Sequence, residues 1–151
     1  MNQYTQQKFV GERALFQSRD LELSYCTFAD GESPLKESKN LKIENCLFQW
    51  KYPLWYCRNV EVKHSTMFEM ARAGIWYTDH ISMEDITYQA PKGFRRCKDV
   101  VLKDINFPNA AETLWNCSQV KMRNVTAKGD YFAMGSSDMA VSYTHLRAHE
   151  T

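Results

Sequence analysis

One position of a repeating phrase carries Phe16, Lys36, Trp55, Trp76, Arg95 and Trp115. Indoles interleaved with cations suit a sugar, whose apolar ring face stacks on an aromatic while its hydroxyls take hydrogen bonds. Trp55, Trp76, Arg95 and Trp115 are therefore the candidate ligand-binding residues, and a carbohydrate is the candidate partner. Two other arrangements give the same column. The indoles can lie under the N-terminal segment, a loop or a further part of the chain, or a slip in strand register can turn them inward. At the neighbouring corner stand Arg19, Lys39, Arg58 and Lys98, interrupted by Asp79 and Ser118. That stripe reads either as a receiver for an anionic polymer or as a solvated edge.

Cleaving a glycosidic bond needs two carboxylates facing it; a lyase needs a base beside cations or a metal. Asp30, Glu32, Glu37, Glu69, Asp79 and Glu112 fall in different columns, with no obvious pair on adjacent turns. Glu69 with Arg72, and Glu112 near Trp115, are the weak catalytic candidates. Whether the chain is an enzyme stays open, and the missing pair argues mildly against it.

The five cysteines are an odd number. Cys26 and Cys46 share an inward column; Cys57, Cys97 and Cys117 share a corner column. They read as small core and corner fillers. Neighbouring pairs lie within disulfide reach, but a cytosolic chain keeps them reduced. No C-x-x-C occurs, which argues against zinc. His145 and His149 at i, i+4 suggest a metal pair on a helix, but the glutamate of H-E-x-x-H is absent. No metal and no cofactor are expected.

What must position these residues is a repeat. The first apolar residue of the phrase is Leu21, Leu41, Val60, Ile81, Val100, Val120 and Met139, recurring every 19 to 21 residues. Two residues on stand Leu23, Ile43, Val62, Met83, Leu102 and Met122; further columns hold Cys26 to Val125 and Phe28 to Ala127. A second apolar column six residues upstream runs Leu15, Leu35, Leu54, Ile75, Phe94, Leu114 and, one out of step, Phe132. Apolar residues at i and i+2 mark strands, and strands this short bury nothing until they stack. The expected fold is all-β: a right-handed, single-stranded parallel β-helix of about seven coils of roughly 20 residues.

The outward column Glu44, Lys63, Glu84, Lys103 alternates in sign, as in-register strands prefer. A leucine-rich repeat has a similar period, but it wants an apolar residue where this chain has Ser18, Ser38, Cys57, Thr78, Cys97, Cys117 and Ser136.

At 151 residues there is room for one domain, and a net charge of +1 calls for neither nucleic acid nor an anionic membrane. No apolar run approaches the roughly 20 residues of a membrane span. The first eight residues lack the apolar stretch of a signal peptide, which predicts a cytoplasmic protein if Met1 is the start. Residues 1–10 are expected as an N-terminal segment or cap, with Phe9 and Val10 over the first open end. Residues 11–140 form the β-helix, and 141–151 fit no column beyond Val141. That tail resembles a string at the ends of unrelated conceptual translations, arising from adapter DNA, and is expected to be non-native or disordered. An uncapped last coil predicts self-association through its edge.

The stretches 11–16, 29–37, 50–57, 71–77 and 109–115, including Pro53-Leu54-Trp55-Tyr56 and Gly74-Ile75-Trp76-Tyr77, resemble a bacterial family of unknown function. That family is assigned to the pectin-lyase-like right-handed β-helix superfamily. The resemblance covers about residues 9–139 and implies further coils beyond them, so the chain looks like an N-terminal part. It carries no catalytic residue over. Three functions follow as expectations: carbohydrate binding, polysaccharide lysis or hydrolysis, and a scaffold without ligand.

Overall fold

The computed structural model describes residues 2–147, and every regular element in them is a strand. β1 (Asn2–Thr5) and β2 (Lys8–Phe9) form the first coil, β3 (Arg19–Ser24) and β4 (Thr27–Phe28) the second, β5 (Lys39–Glu44) and β6 (Leu47–Phe48) the third. β7 (Leu54–Trp55) and β8 (Arg58–Met67) follow, then β9 (Ile75–Trp76) and β10 (Asp79–Tyr88). β11 (Lys98–Phe107), β12 (Ser118–Lys128), β13 (Ser137–Ser142) and β14 (His145–Arg147) complete the order. The main sheet stacks β1-β3-β5-β8-β10-β11-β12-β13, every pair parallel. This is a parallel β-solenoid of about eight turns, without the helices of a leucine-rich repeat.

The register follows the sequence columns. Leu21 pairs with Leu41, Leu41 with Val60, Val60 with Ile81, Ile81 with Val100, Val100 with Val120 and Val120 with Met139. Stacking puts each inward side chain on its own kind one strand separation away, about 4.8 Å. Phe9, Phe28 and Phe48 stack at 5.1 and 5.0 Å between ring centroids. Further along, Tyr88, Phe94 and Phe107 fill the core with no measurable exposure. Each such side chain contributes about 1.5–3 kcal/mol by leaving water, which no single two-residue strand could gather alone.

Residues 2–9, expected as a cap, wind as a coil of their own, with Tyr4 opposite Leu23 and Phe9 opposite Phe28. Phe9 stacks on Phe28, whereas Val10 is 61% exposed. At the other end the pattern runs past Val141. Val141 registers with Met122, His145 with Thr126 and Leu146 with Ala127. The described part of the stretch expected as a non-native or disordered tail is paired strand, and Thr144 shows how it fits the coil. Its hydroxyl accepts from Val125 N and donates to Ser142 O, as the Ser65 hydroxyl does with Cys46 N and Lys63 O four coils earlier. His149 lies outside the described residues, and His145 is in a strand rather than a helix.

The corner column explains the cysteines further. Cys57, Cys97 and Cys117 donate their thiol hydrogens to Leu35, Ile75 and Phe94 carbonyls on the preceding coil, at 3.1, 3.3 and 3.3 Å. Thr78 and Ser136 do the same to Leu54 and Leu114. Serine, threonine and cysteine alternate there because each is a short donor small enough for a tight corner. Burial pushes the Cys57 thiol up to about 12 and the Cys46 thiol up to about 11, so both stay protonated and unreactive.

Candidate functional site

The Trp/Arg column is a built feature of the flank. Trp55 and Trp76 pair in register on β7 and β9, and isolated bridges carry the alignment through Arg95 to Trp115. The four side chains form one stack. The two indoles lie 5.0 Å apart and 4° from parallel. The Arg95 guanidinium sits 4.3 Å from the Trp76 ring centre and 5.0 Å from that of Trp115. Tyr52 tilts over Trp55 at 4.6 Å. Each indole N–H is tied down: Trp55 donates to Ala73 O, Trp76 to Lys92 O and Trp115 to Tyr131 O.

This corrects how the column can work. A face-on sugar platform needs open indole faces, and both faces of Trp76 are covered, by Trp55 and by Arg95. In-register strands bring identical columns to within one ring thickness, so the aromatics take each other as partners. The column is only half-buried, and what it turns to solvent are ring edges and the outer nitrogens of Arg95. The Arg95 Nε is buried with no hydrogen-bond partner among the described residues; the two ring faces stabilise its charge instead.

Beside the stack runs a second aromatic pair. Tyr56 and Tyr77 stack at 4.8 Å and 4°, and both are well exposed, at 50% and 38%. Their φ values are +57° and +55°, the left-handed conformation that turns the chain through this corner. Lys36, one coil before Trp55 in the same column, holds its ammonium 5.9 Å from the Tyr56 ring centre. The tyrosines were not singled out from sequence, although their place one residue after the Trp column was visible.

The catalytic candidates are not brought together. Glu69 and Glu112 lie on loops two coils apart, Glu69 and Arg72 are exposed, and Glu112 Oε2 is 3.6 Å from Lys92 Nζ. Among the described residues no group of three or more His, Cys, Asp or Glu side chains is placed to hold a metal ion.

The corner cations are arranged in register: Arg19 opposite Lys39, Lys39 opposite Arg58, Arg58 opposite Asp79 and Asp79 opposite Lys98. Ion pairs form elsewhere, Lys103 with Glu84 at 3.3 Å and Lys63 with Glu61 at 3.1 Å. Lys63 therefore takes the carboxylate two residues back on its own strand rather than its cross-strand neighbours Glu44 and Glu84. Beside the corner cations one polar column runs along the turns. Asn40 donates to Asp20 and Asn59 to Asn40, at 2.9 and 2.8 Å, and His80 Nδ1 lies 2.6 Å from Asp99.

A family model described as a protein of unknown function (DUF3737) matches residues 2–150. No curated protein matches the chain. The solved structures similar to it include two of trypsin-treated variants of QnrB1, a plasmid-mediated fluoroquinolone resistance protein. Each is 10% identical. One match covers 96% of this chain and 91% of that one with a TM-score of 0.29, the other 95% and 88% with 0.31. No helix in the described residues is long and apolar enough to cross a membrane.

Proposed function

The chain belongs to the family of proteins of unknown function DUF3737, and we propose that it is a non-catalytic carbohydrate-binding β-solenoid of the pectin-lyase-like class. The observation that carries this reading is the flank itself. Trp55, Trp76, Arg95 and Trp115 are locked by stacking, and the Tyr56–Tyr77 pair lies exposed alongside. A rigid row of ring edges, phenol hydroxyls and guanidinium nitrogens loses little entropy on binding. It suits a chain of hydroxyl-bearing rings laid along the solenoid axis. The sugar contacts edges and tyrosines, not open indole faces.

A binding role is favoured over a hydrolase or lyase because Glu69 and Glu112 lie on different loops and Lys92 engages Glu112. We also place the protein in a reducing compartment, the cytoplasm. The support is the odd set of five cysteines, all buried in core and corner positions.

A glycan array probed with the native chain, Tyr77→Ala and Trp76→Ala tests the reading. Binding by the native chain that weakens in Tyr77→Ala, with the fold intact by circular dichroism, is the expected result. Binding by none of the three would remove it and leave a scaffold without ligand. Tyr77 is the informative position because its exposed ring can be removed without opening the stack.

A further inference from the structure

Three side chains of one charge stand in line where the fold brings them closest. Arg19, Lys39 and Arg58 occupy consecutive coils in register, about 4.8 Å apart along the backbone. Like charges directly opposite each other are destabilising. Elsewhere Glu44, Lys63, Glu84 and Lys103 alternate in sign along one column, before Lys103 meets Arg123, so three like charges in a row mark the corner. Among the described residues the ion pairs are Lys63–Glu61, His64–Asp85, His80–Asp99, Lys92–Glu112 and Lys103–Glu84. None takes up a charge of the corner triplet. Two of the three, Arg19 and Lys39, open on a concavity. A groove of about 780 Å³ is lined by Gln17, Arg19, Lys36, Glu37, Lys39 and Tyr56. Its single carboxylate, Glu37, is 3.5 Å from the Gln17 amide nitrogen.

We propose that this corner groove, with Arg19, Lys36 and Lys39 as its cations, is an anion-binding subsite. The carbohydrate it takes is an acidic one, bearing carboxylates or sulfates. This rests on the carbohydrate reading above and adds the substrate class. Lys36 and Tyr56 join the two regions, since Lys36 shares the Trp55 column and Tyr56 follows Trp55 directly. The triplet spans two strand separations, roughly 10 Å, which matches a short run of charged sugars. A polynucleotide is the poorer fit. Its affinity comes from neutralising many phosphates at once, and beyond Arg58 the column is broken by Asp79, on a chain whose net charge is only +1.

The test is calorimetric titration of the full chain with alginate, dextran sulfate, uncharged dextran and sodium polyphosphate. The variants are Lys39→Glu and Arg19→Glu, with Arg19→Gln in case reversal of charge disturbs the fold. The expected result is binding of alginate, dextran sulfate or both, falling with added salt and weakened about tenfold or more by each variant, the loss of roughly 1.4 kcal/mol of interaction. Alginate against dextran sulfate separates carboxylate from sulfate. Uncharged dextran bound as tightly as its sulfated form would overturn the anion subsite and leave the carbohydrate reading standing. Polyphosphate bound while both acidic glycans fail would overturn the acidic-glycan assignment. Acidic-glycan binding indifferent to all three variants would move the site away from this corner and overturn the proposal.

Discussion

The Trp column and the cation column lie one corner apart on the same coils, in the same register, and the fold treats them oppositely. Stacking a residue on its own kind attracts when the residue is an indole and repels when it is a lysine or arginine. Trp55 on Trp76, with Arg95 next in line, is therefore explained within the protein: the stack holds the flank together. Arg19 on Lys39 on Arg58 is not explained within the protein, because the register raises the energy of that column and no ion pair among the described residues offsets it. A column that costs stability is where a charged ligand has the most to contribute; a column that stabilises itself supplies a rigid surface for one.

The largest expected effect breaks the aromatic side of that contrast. Trp76→Ala removes the ring that Trp55 and Arg95 both cover, and leaves a gap between them. Truncating a fully buried Trp costs about 3–5 kcal/mol; for this half-buried ring the expected loss is about 2–3 kcal/mol. Arg58→Ala should cost nothing measurable. Chemical denaturation of both compares them directly, and equal losses would dissolve the contrast.

The corner between the two columns gives a pH-dependent effect. In the unfolded chain the Cys57 thiol ionises near its ordinary 9.0, while burial in the folded chain pushes it to about 12. Between those values the unfolded chain has released a proton that the folded chain keeps, so raising the pH favours unfolding. Stability is fully present below about pH 9 and falls above it, by at most about 1.4 kcal/mol per pH unit for one group. Cys57→Ser keeps a donor for the Leu35 carbonyl and removes the titration. Its alkaline melting curve should fall less steeply than that of the native chain.

Arg95→Lys sharpens the comparison within the stack. The guanidinium is flat and lies between two rings; an ammonium keeps the charge but cannot stack on both faces. The expected loss is about 1 kcal/mol, read from the denaturation midpoint. No loss would mean that Arg95 contributes charge rather than shape.

The solenoid was legible because parallel, in-register strands copy each inward position into the next turn, so the core appears in the sequence as a period. The first coil was harder to see. Asn2 and Gln7 stand where later coils have Leu21 and Cys26, leaving Tyr4 and Phe9 as the coil's only inward apolar residues. The last strands were hidden for a different reason: Thr144 is polar, and its hydroxyl bonds the carbonyl two residues back as the thiols of Cys26 and Cys46 do, a likeness that hydropathy does not register. The Trp column was legible as a column but not as a stack. Alternation tells which way a side chain leaves its own strand, not what the neighbouring turn puts against it. The corner cysteines read as fillers, because what they share with Ser38 and Thr78 is a hydrogen to donate, and the hydropathy of the column varies while that property does not.

The smallest effect is the most direct test of the contrast. Lys39 stands between two cations, while Lys103 stands next to Glu84, 3.3 Å away. Neutralising Lys39 as Lys39→Gln removes two repulsions and should raise stability by a few tenths of a kcal/mol at low salt. Neutralising Lys103 as Lys103→Gln removes the 3.3 Å pair with Glu84 together with the weaker repulsion from Arg123 opposite, and should lower stability by a smaller amount. Both positions are exposed, so both effects should shrink toward zero as salt shortens the screening length below the spacing of the charges. Melting temperatures of the two variants at low and high salt supply the signs. Opposite signs at low salt that converge at high salt would confirm that the corner charges are held against their own repulsion. The same sign for both would mean that Lys39 finds compensation within the folded chain, and the cation column would then need no ligand to account for it.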